Sequence, residues 1–333
     1  MKTYNLCLLG FGNVHKALVR LLERKKPELR AHYGIECRIT GIATRQMGWL
    51  VQLKGFHSAA LLGGSREDTL TLGPMVFDIS AWLKAAEADV LFEATSLNAQ
   101  TGQPASDYLR AALELGAHAI TANKGPVVYH YRDLTDLAAQ KGKRFFFESA
   151  VMDGAPIFSL FREALPATNL LRFRGILNST TNFILSEIEN GKSFDEAIRQ
   201  AQASGIAETD PSADIDGWDA TMKVCALRTV LMDAPITPGE VERDGIRGLA
   251  PEAIRAARAA GTPYKLVCRA DRDSASVRPE RVPLSDPLAR VNGTSSIIHF
   301  ETDTLSGLTL TEHNPGPETT AYGLLADFIN AVK

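Results

Sequence analysis

The residues best suited to chemistry lie in one acidic stretch, residues 205–223. Its carboxylates are too concentrated for a simple turn, and they are Glu208, Asp210, Asp214, Asp216 and Asp219. From Gly217 onward the apolar residues recur at helical spacing, so Asp219 and Lys223 share one helix face. Two carboxylates can hold a substrate ammonium group while a third orients the lysine, and an amine held in this way can transfer a proton. The alternative is an exposed helical ion pair, worth about 0.3–0.5 kcal/mol.

A second polar group lies upstream, where Asn178, Ser179 and Thr180 follow a predicted strand and precede a predicted helix. These side chains could orient a polar substrate. They could also cap the helix, since Asn, Ser and Thr are favoured at that position. We expect them to do both.

The chain begins with a pattern of strand, glycine turn and helix. An apolar run ends at Gly10, Gly12 follows two residues later, and a helical pattern begins near Asn13 and Val14. In dinucleotide-binding units the first glycine allows the sharp turn, and the second lets the backbone approach a pyrophosphate. The free N–H groups of the helix then favour the anion. His15 stands where the motif has its third glycine, so the pattern alone is equally compatible with a glycine turn used only for packing.

Other candidate cofactor residues follow predicted buried strands. Arg45 comes after the second strand with no acid nearby, which suits the 2′-phosphate of NADP better than the ribose hydroxyls of NAD. The alternative is a solvated surface arginine. Thr95 and Ser96 end the next strand, and Lys124 ends a later one. Open α/β sheets bind ligands at this edge, so we interpret Lys124 as facing a nicotinamide rather than as a surface charge.

These residues require particular elements to position them. In residues 1–150 strands alternate with helices, which predicts a dinucleotide-binding domain with a doubly wound parallel sheet of the Rossmann type, although residues 46–78 read as irregular. Residues 151–315 contain alternating, half-exposed strands with helices between them. They predict an α+β substrate domain whose apolar sheet face is a plausible dimer contact. Residues 316–333 read as a helix that returns to the first domain.

Composition excludes several classes of protein. The 333 residues suffice for roughly two domains, and the net charge of −3 gives no electrostatic drive toward nucleic acid or an anionic membrane. No apolar run approaches the ~18 residues that span a bilayer. The N-terminus passes directly into the first strand, which leaves no room for a signal peptide, and the four scattered cysteines form no C-x-x-C pair. We therefore expect a cytoplasmic protein with reduced thiols and without a catalytic zinc site.

Taken together, these motifs resemble homoserine dehydrogenases. The matching stretches are residues 10–14 (GFGNV), 121–124 (TANK), 148–156 (ESAVMDGAP), 175–182 (GILNSTTN), 205–223 and 316–321 (GPETTA). They follow the family's order over nearly the whole chain. The resemblance implies reversible, NAD(P)-dependent interconversion of L-aspartate 4-semialdehyde and L-homoserine, on the route to threonine and methionine. It also implies a homodimer, and the length predicts a short form without a regulatory or kinase domain.

The resemblance further implies roles for matching residues. The implied catalytic residues are Lys223, which is the proton donor, Lys124, which lies beside nicotinamide and substrate, and Asp214, which lies close to the residues that hold the substrate. Glu208 and Asp219 would hold the amino-acid end of the substrate, to which our own interpretation adds Asn178 and Thr180. The predicted cofactor-binding residues are Gly10, Gly12, Asn13, Val14, Arg45, Thr95, Ser96, Lys124, Gly205 and Gly316. A monovalent cation, usually Na⁺, is implied on the side chain of Glu148 and the backbone carbonyls of Val151, Asp153 and Ala155.

Four residues depart from the family pattern: His15, Ser179, Asp153 and Glu318. Glu318 stands in a loop that is normally small, where a carboxylate near cofactor phosphates is unfavourable unless it is paired. These departures leave open a related NAD(P)-dependent dehydrogenase acting on another hydroxylated carboxylic or amino acid. A nucleotide-binding protein that has lost catalysis is a third hypothesis. The intact set of lysine and carboxylates argues against it, because a sensor does not need a positioned proton donor.

Overall fold

The structure is a computed structural model that describes residues 1–63 and 78–333. Backbone contacts divide the chain into two compact units, Met1–Pro156 with Gly316–Lys333, and Ile157–Pro315. The boundary predicted after residue 150 falls within the first unit. Among the described residues, no helix has both the length and the apolar character needed to cross a membrane.

The first unit contains a six-stranded sheet in the order β3-β2-β1-β4-β5-β6. Its strands are β1 (Lys2–Leu9), β2 (Ile35–Thr44), β3 (Gly48–Val51), β4 (Val90–Glu93), β5 (His118–Thr121) and β6 (Phe145–Phe146). All neighbours are parallel except β2 and β3, which pair antiparallel at one edge. The helices in its described residues are α1 (Asn13–Tyr33), α2 (Ser58–Gly63), α3 (Ile79–Ala85), α4 (Ala105–Glu114), α5 (Lys124–Gln140) and α11 (Pro317–Val332). The predicted doubly wound α/β class is confirmed, with one antiparallel edge strand added.

The stretch predicted as irregular, residues 46–78, contains ordered elements, so that prediction was wrong for its described part. Strand β3 and helix α2 lie within it, while residues 64–77 lie outside the described residues. The indole N–H of Trp82 donates to the Leu50 carbonyl at 3.0 Å, and Trp49 meets the Trp82 ring edge-on. Strand β3 therefore depends on tertiary contacts that a four-residue pattern does not reveal.

Helix α11 joins the core of the first unit. The Phe328 ring makes edge contacts with Tyr4 on β1 and Phe92 on β4, with ring centroids 5.7 and 6.0 Å apart. Leu324 and Leu18 of α1 are fully buried in the same cluster. This packing fixes the C-terminal segment against β4 and against β1, which leads into the glycine turn.

The second unit contains a six-stranded sheet in the order β12-β11-β7-β9-β10-β8. Its strands are β7 (Leu170–Ile176), β8 (Glu242–Arg243), β9 (Tyr264–Asp271), β10 (Ala275–Arg281), β11 (Ser296–Thr302) and β12 (Leu308–Glu312). Only β8 and β10 pair in parallel. Its helices are α6 (Ser179–Glu189), α7 (Phe194–Ala203), α8 (Ser212–Ile215), α9 (Trp218–Leu231) and α10 (Pro251–Ala259). A π-turn (Leu160–Ala164) and 3₁₀ turns (Pro238–Glu240, Pro287–Arg290) complete it.

The two faces of this second sheet differ in character. Helices α6 and α9 pack against β9 and cover the apolar face. The other face carries salt bridges between strands, with Arg172 2.6 Å from Glu301 and Arg269 2.6 Å from Glu280. The apolar face, named above as a plausible dimer contact, therefore packs against the unit's own helices.

Candidate active site

The glycine turn after β1 has the geometry that a bound phosphate needs. Gly10 has a φ of +84°, and a Cβ there would lie 2.6 Å from the Ala94 carbonyl oxygen, so only glycine fits. A Cβ on Gly12 would meet nothing within 4 Å, and within the described chain no side chain caps α1. The first N–H groups of α1, at Asn13 and Val14, therefore have room for an anionic ligand.

His15 is accommodated inside the first unit rather than displaced from it. Its side chain is fully buried, and Nδ1 lies 2.5 Å from the carbonyl oxygen of Gly10. Because a carbonyl only accepts, Nδ1 carries the proton. Nε2 has no hydrogen-bond partner among the described atoms. Burial lowers the pKa of His15 to about 4, so the imidazole is neutral at pH 7 and links α1 to the glycine turn.

This burial predicts an acid-sensitive contribution to stability. The pKa of His15 in the folded state, about 4, lies below its ordinary value of 6.5, so the unfolded chain takes up the proton first. The stabilisation is present above pH 6.5 and is lost as the pH falls toward 4, by about 2–3 kcal/mol in the free energy of unfolding. We expect His15→Asn, which keeps a donor near Nδ1 but does not titrate, to lose less stability over this range. Urea denaturation of both proteins over this pH range measures the two losses of stability. The other titrating groups contribute equally in both proteins, so they cancel in the difference. Identical pH slopes would show that His15 is not the cause.

The other cofactor candidates of the first unit lie at the carboxyl edge of its sheet. Lys124 is the first residue of α5, whose N-terminus is capped by Asn123 through a 3.0 Å bond from the Gly125 N–H. Thr95 is half-buried just beyond β4, and Ser96 beside it is exposed. In the order β2-β1-β4-β5, this edge includes the point where strand order reverses, which is where such sheets bind ligands.

Arg45 stands immediately after β2 and is exposed. Gly316 is the N-cap residue of α11, where the Thr319 hydroxyl accepts a hydrogen bond from its N–H at 2.8 Å. Glu318, one of the departures, lies 3.7 Å from Arg24 on α1. The exposed carboxylate therefore forms a salt bridge, and it lies in the first turn of α11 rather than in the loop that was expected.

In the second unit four predicted side chains meet. Lys223 Nζ donates to the Leu177 carbonyl at 2.7 Å and lies 3.4 Å from Asp219 Oδ2. The Asn178 amide donates to Asp214 Oδ1 at 2.6 Å and to Asp219 Oδ2 at 3.0 Å. The Lys223 and Asp219 side chains are only 14% and 21% exposed, so this is not the exposed ion pair of the alternative interpretation.

Local structure explains how these four groups come together. Asn178 is the N-cap of α6, and its Oδ1 accepts the Thr181 N–H at 2.8 Å, so it caps the helix and orients the carboxylates at once. Asp219 and Lys223 occupy one face of α9. Asp214 belongs to the short helix α8. Burial, and then the negative charge of Asp219, raise the pKa of Asp214.

The segment that carries Asp214 is held by the loop after β8, residues 244–250. The sequence did not indicate this contact. Arg247 binds both carboxylate oxygens of Asp216 at 2.8 and 3.1 Å. A Cβ on Gly245 would lie 2.4 Å from the Ile215 carbonyl, so the two backbones touch. The Arg243 guanidinium lies 3.7 Å from the centroid of the exposed Trp218 ring.

Of the other predicted residues of the second unit, Thr180 makes a side-chain hydrogen bond to Asp214, which opposes the rise of the Asp214 pKa. Glu208 and Gly205 lie outside this hydrogen-bond network. Glu208 is exposed, and its backbone carbonyl accepts from Gln202 at 3.4 Å. Thr180 is buried in the first turn of α6, with its hydroxyl 3.4 Å from the Ile206 carbonyl. Gly205 has a φ of +68° after α7, and a Cβ there would meet nothing within 4 Å.

The residues predicted to hold a cation belong to the first unit. Glu148 opens a 3₁₀ turn (Glu148–Ala150), is buried, and donates its N–H to Asp327 Oδ2 at 2.7 Å. Asp153 has a φ of +45°, and its carboxylate accepts the Thr320 hydroxyl. Across the described ranges no three His, Cys, Asp or Glu side chains converge as metal ligands. A cation here would rely on Glu148 and backbone carbonyls such as those of Val151 and Ala155.

Sequence reasoning missed two contributors to these sites. Glu93 is a fully buried carboxylate at the end of β4, and its place in an otherwise apolar strand was a usable signal. The Leu177 carbonyl, which binds Lys223, leaves no trace in residue type.

Two family models together match nearly the whole chain. Residues 10–148 match the family model "Homoserine dehydrogenase, NAD binding domain", and residues 156–329 match "Homoserine dehydrogenase". The chain is 35% identical to an NAD(+)-dependent homoserine dehydrogenase of Pseudomonas canavaninivorans, over 99% of this chain and 96% of that protein. A homoserine dehydrogenase of Sulfurisphaera tokodaii is 33% identical over 97% of each chain.

Solved structures give the same result. A putative homoserine dehydrogenase from Archaeoglobus fulgidus superposes with a TM-score of 0.87 at 30% identity, covering 98% of each chain. A hyperthermophilic archaeal homoserine dehydrogenase in complex with NADPH superposes with a TM-score of 0.84 at 28% identity, covering 99% of this chain and 98% of that one. The chain therefore belongs to the homoserine dehydrogenase family of NAD(P)-dependent oxidoreductases.

Proposed function

We propose that this chain interconverts L-aspartate 4-semialdehyde and L-homoserine through Lys223, Asp214 and Asp219 of its second unit. The observation that carries the proposal is the largely buried group in which Asn178 joins Asp214 to Asp219, and Asp219 lies beside Lys223. Two carboxylates beside one ammonium leave a net negative site. That site suits the ammonium group that both proposed substrates carry.

Each residue of this group then has a defined task. Asp219 and Asp214 bind the substrate ammonium, and Asn178 keeps the two carboxylates apart and oriented. The Leu177 carbonyl and Asp219 direct the Lys223 ammonium, which donates a proton to the aldehyde oxygen as it becomes the alcohol. In the reverse direction the neutral amine accepts that proton. Glu208 and Thr180 are proposed to complete substrate binding.

The first unit is proposed to hold the cofactor on its glycine turn and sheet edge. Bound NAD(P)H supplies the hydride for the reduction. Gly10 and Gly12 let the backbone approach the pyrophosphate, which the N–H groups of Asn13 and Val14 bind. The remaining proposed contacts come from Thr95, Ser96, Lys124 and Gly316 of the first unit, and we propose one more from Gly205 of the second unit.

The test of this proposal is a substrate panel with both NADP⁺ and NAD⁺. We expect L-homoserine to give the highest kcat/KM, with L-serine, L-threonine and 4-hydroxybutyrate far lower. Among these compounds only homoserine carries both an α-ammonium group and a hydroxyl on the γ-carbon. A higher kcat/KM for another hydroxy acid would favour the related-dehydrogenase hypothesis. Cofactor binding without turnover of any of them would favour a non-catalytic protein.

We further propose that NADP is preferred over NAD because of Arg45, which is exposed directly after β2. A charge-assisted hydrogen bond contributes about 1.5–3 kcal/mol, so Arg45→Ala should raise KM for NADP⁺ roughly tenfold or more. KM for NAD⁺ should change less than about twofold, since NAD⁺ lacks the 2′-phosphate. Steady-state kinetics with saturating L-homoserine measure both constants, and Arg20→Ala, on the exposed side of α1, is the control. An unchanged ratio of the two KM values would remove Arg45 from cofactor selection.

Three further properties complete the proposal: the oligomeric state, a bound cation and the compartment. We infer a homodimer through the second sheet, whose exposed face carries both charge signs and so suits a two-fold contact. Sedimentation showing only monomer would contradict this inference.

We infer Na⁺ on Glu148 and the carbonyls of Val151, Asp153 and Ala155. A thermal shift in Na⁺ but not in tetramethylammonium would support this site. The cysteines all lack disulfides, which favours a reducing compartment such as the cytoplasm.

A further inference from the structure

Glu93 is a carboxylate where the fold otherwise places apolar side chains. It ends β4, a strand whose other residues (Val90, Leu91 and Phe92) are all 0% exposed, and it is 0% exposed itself. A buried carboxylate without partners is unfavourable by several kcal/mol, so such a group persists only where it is hydrogen-bonded. Burial raises the pKa of Glu93, and its hydrogen bonds oppose that rise.

Its partners connect the ends of two neighbouring strands. Oε1 accepts the Thr95 N–H at 2.7 Å and the Thr95 hydroxyl at 2.5 Å. Oε2 accepts the Thr121 hydroxyl, on β5, at 2.5 Å. The Thr121 oxygen in turn accepts the Asn123 N–H at 2.9 Å, so the Thr121 proton points to Glu93. One carboxylate therefore fixes the backbone at the carboxyl ends of both β4 and β5.

The same chain of bonds continues to the candidate cofactor residues. The Asn123 side chain accepts the Gly125 N–H at 3.0 Å and reaches the Thr95 carbonyl at 3.5 Å, which sets the first turn of α5, where Lys124 lies. On the other side, Glu93 pairs in register with Leu9 of β1, and the next carbonyl, that of Ala94, packs against Gly10. The bonds of Glu93 thus lie between the glycine turn and Lys124.

We propose that Glu93 is a positioning residue for cofactor binding, which holds the Thr95 loop and the Asn123–Lys124 turn at the spacing that NAD(P) requires. The inference rests on the proposed function in one respect, that the first unit binds NAD(P). Glu93 itself is fully buried and acts through Thr95, Thr121 and Asn123.

Two replacements separate positioning from burial. Glu93→Met has similar length but accepts no hydrogen bond, so the donors of Thr95 and Thr121 lose their partner. Glu93→Gln keeps an oxygen toward Thr95, and its amide can donate to the Thr121 oxygen. The matched control is Leu91→Ala, which removes apolar contacts from the middle of the same strand but leaves the carboxyl edge intact.

The experiment is a fluorescence titration with NADPH of each full-length variant, with thermal unfolding recorded alongside. Losing two or three such hydrogen bonds should raise the NADPH Kd about tenfold or more in Glu93→Met, and less than about threefold in Glu93→Gln. Leu91→Ala should lower Tm while its Kd stays within about twofold of the wild type. If Glu93→Met does not fold, Thr121→Val removes the hydroxyl that donates to Glu93 and accepts the Asn123 N–H, and it should raise the Kd at least about threefold.

Equal Kd values for the wild type and the folded Glu93→Met or Thr121→Val variant would overturn the inference and leave the proposed function standing. An equal loss of affinity in Leu91→Ala would also overturn it, because global destabilisation would then explain the effect. Failure of the wild type to bind either NADPH or NADH would instead overturn the proposed function together with the inference.

Discussion

Replacing Lys223 by methionine is expected to lower kcat for L-homoserine oxidation by about 10³-fold, because a positioned acid–base group contributes about 10²–10⁴-fold. The Lys223 amine is the ionisable group best placed to move a proton in the buried network of the second unit, where the Leu177 carbonyl and Asp219 hold it. Methionine retains length and apolar contacts but cannot transfer a proton. Initial rates of NADPH formation measure the loss.

The control for this variant is Lys192→Met, which breaks only a salt bridge with Glu187 near the end of α6. Its kcat should stay within about twofold of the wild type, since a partly exposed ion pair contributes little. The Kd of Lys223→Met for NADPH should also be unchanged. If kcat of Lys223→Met remained within tenfold of the wild type, another group would have to be the acid.

Removing one carboxylate should act mainly on substrate affinity. Asp219→Asn is expected to raise KM for L-homoserine by about 10–100-fold, because a charge-assisted bond to the substrate ammonium contributes about 1.5–3 kcal/mol. Asn178 and Lys223 both approach Oδ2 of Asp219, so the side-chain oxygen of an asparagine there can still accept from them. Since the charge of Asp219 raises the pKa of Asp214, the replacement should lower that pKa as well.

Steady-state kinetics with varied L-homoserine at saturating NADP⁺ measure the expected rise in KM. Asp195→Asn, in the exposed first turn of α7, is the matched control and should leave KM unchanged. An unaltered KM in Asp219→Asn would exclude that carboxylate from substrate binding. A loss confined to kcat would limit its role to orienting Lys223.

The parts of the site that the sequence predicts are those set by local periodicity. Asp219 and Lys223 fall on one helix face because they are four residues apart, and α9 forms as that spacing requires. The strand, glycine turn and helix at the start are local in the same sense. The contact between Asn178 and Asp214 joins residues 36 apart in sequence and depends on how α6 and α8 pack.

The parts that sequence did not predict depend on burial and pairing. His15 breaks a glycine motif, yet the unit buries it in a neutral form and uses it to hold the turn that the motif describes. Strand β3 exists because β2 offers an edge and Trp82 a donor. The charged outer face of the second sheet could not be predicted from the alternation of apolar and polar residues. Alternation divides the residues between two faces, but it does not show which face the helices cover.

The most direct test of proton transfer by Lys223 is a single-turnover experiment. Enzyme saturated with NADPH is mixed with L-aspartate 4-semialdehyde, and NADPH oxidation is followed by absorbance in wild type and Lys223→Met. We predict that the variant binds NADPH normally but oxidises it about 10³-fold more slowly. A single-turnover rate equal to that of the wild type would contradict the role assigned to Lys223.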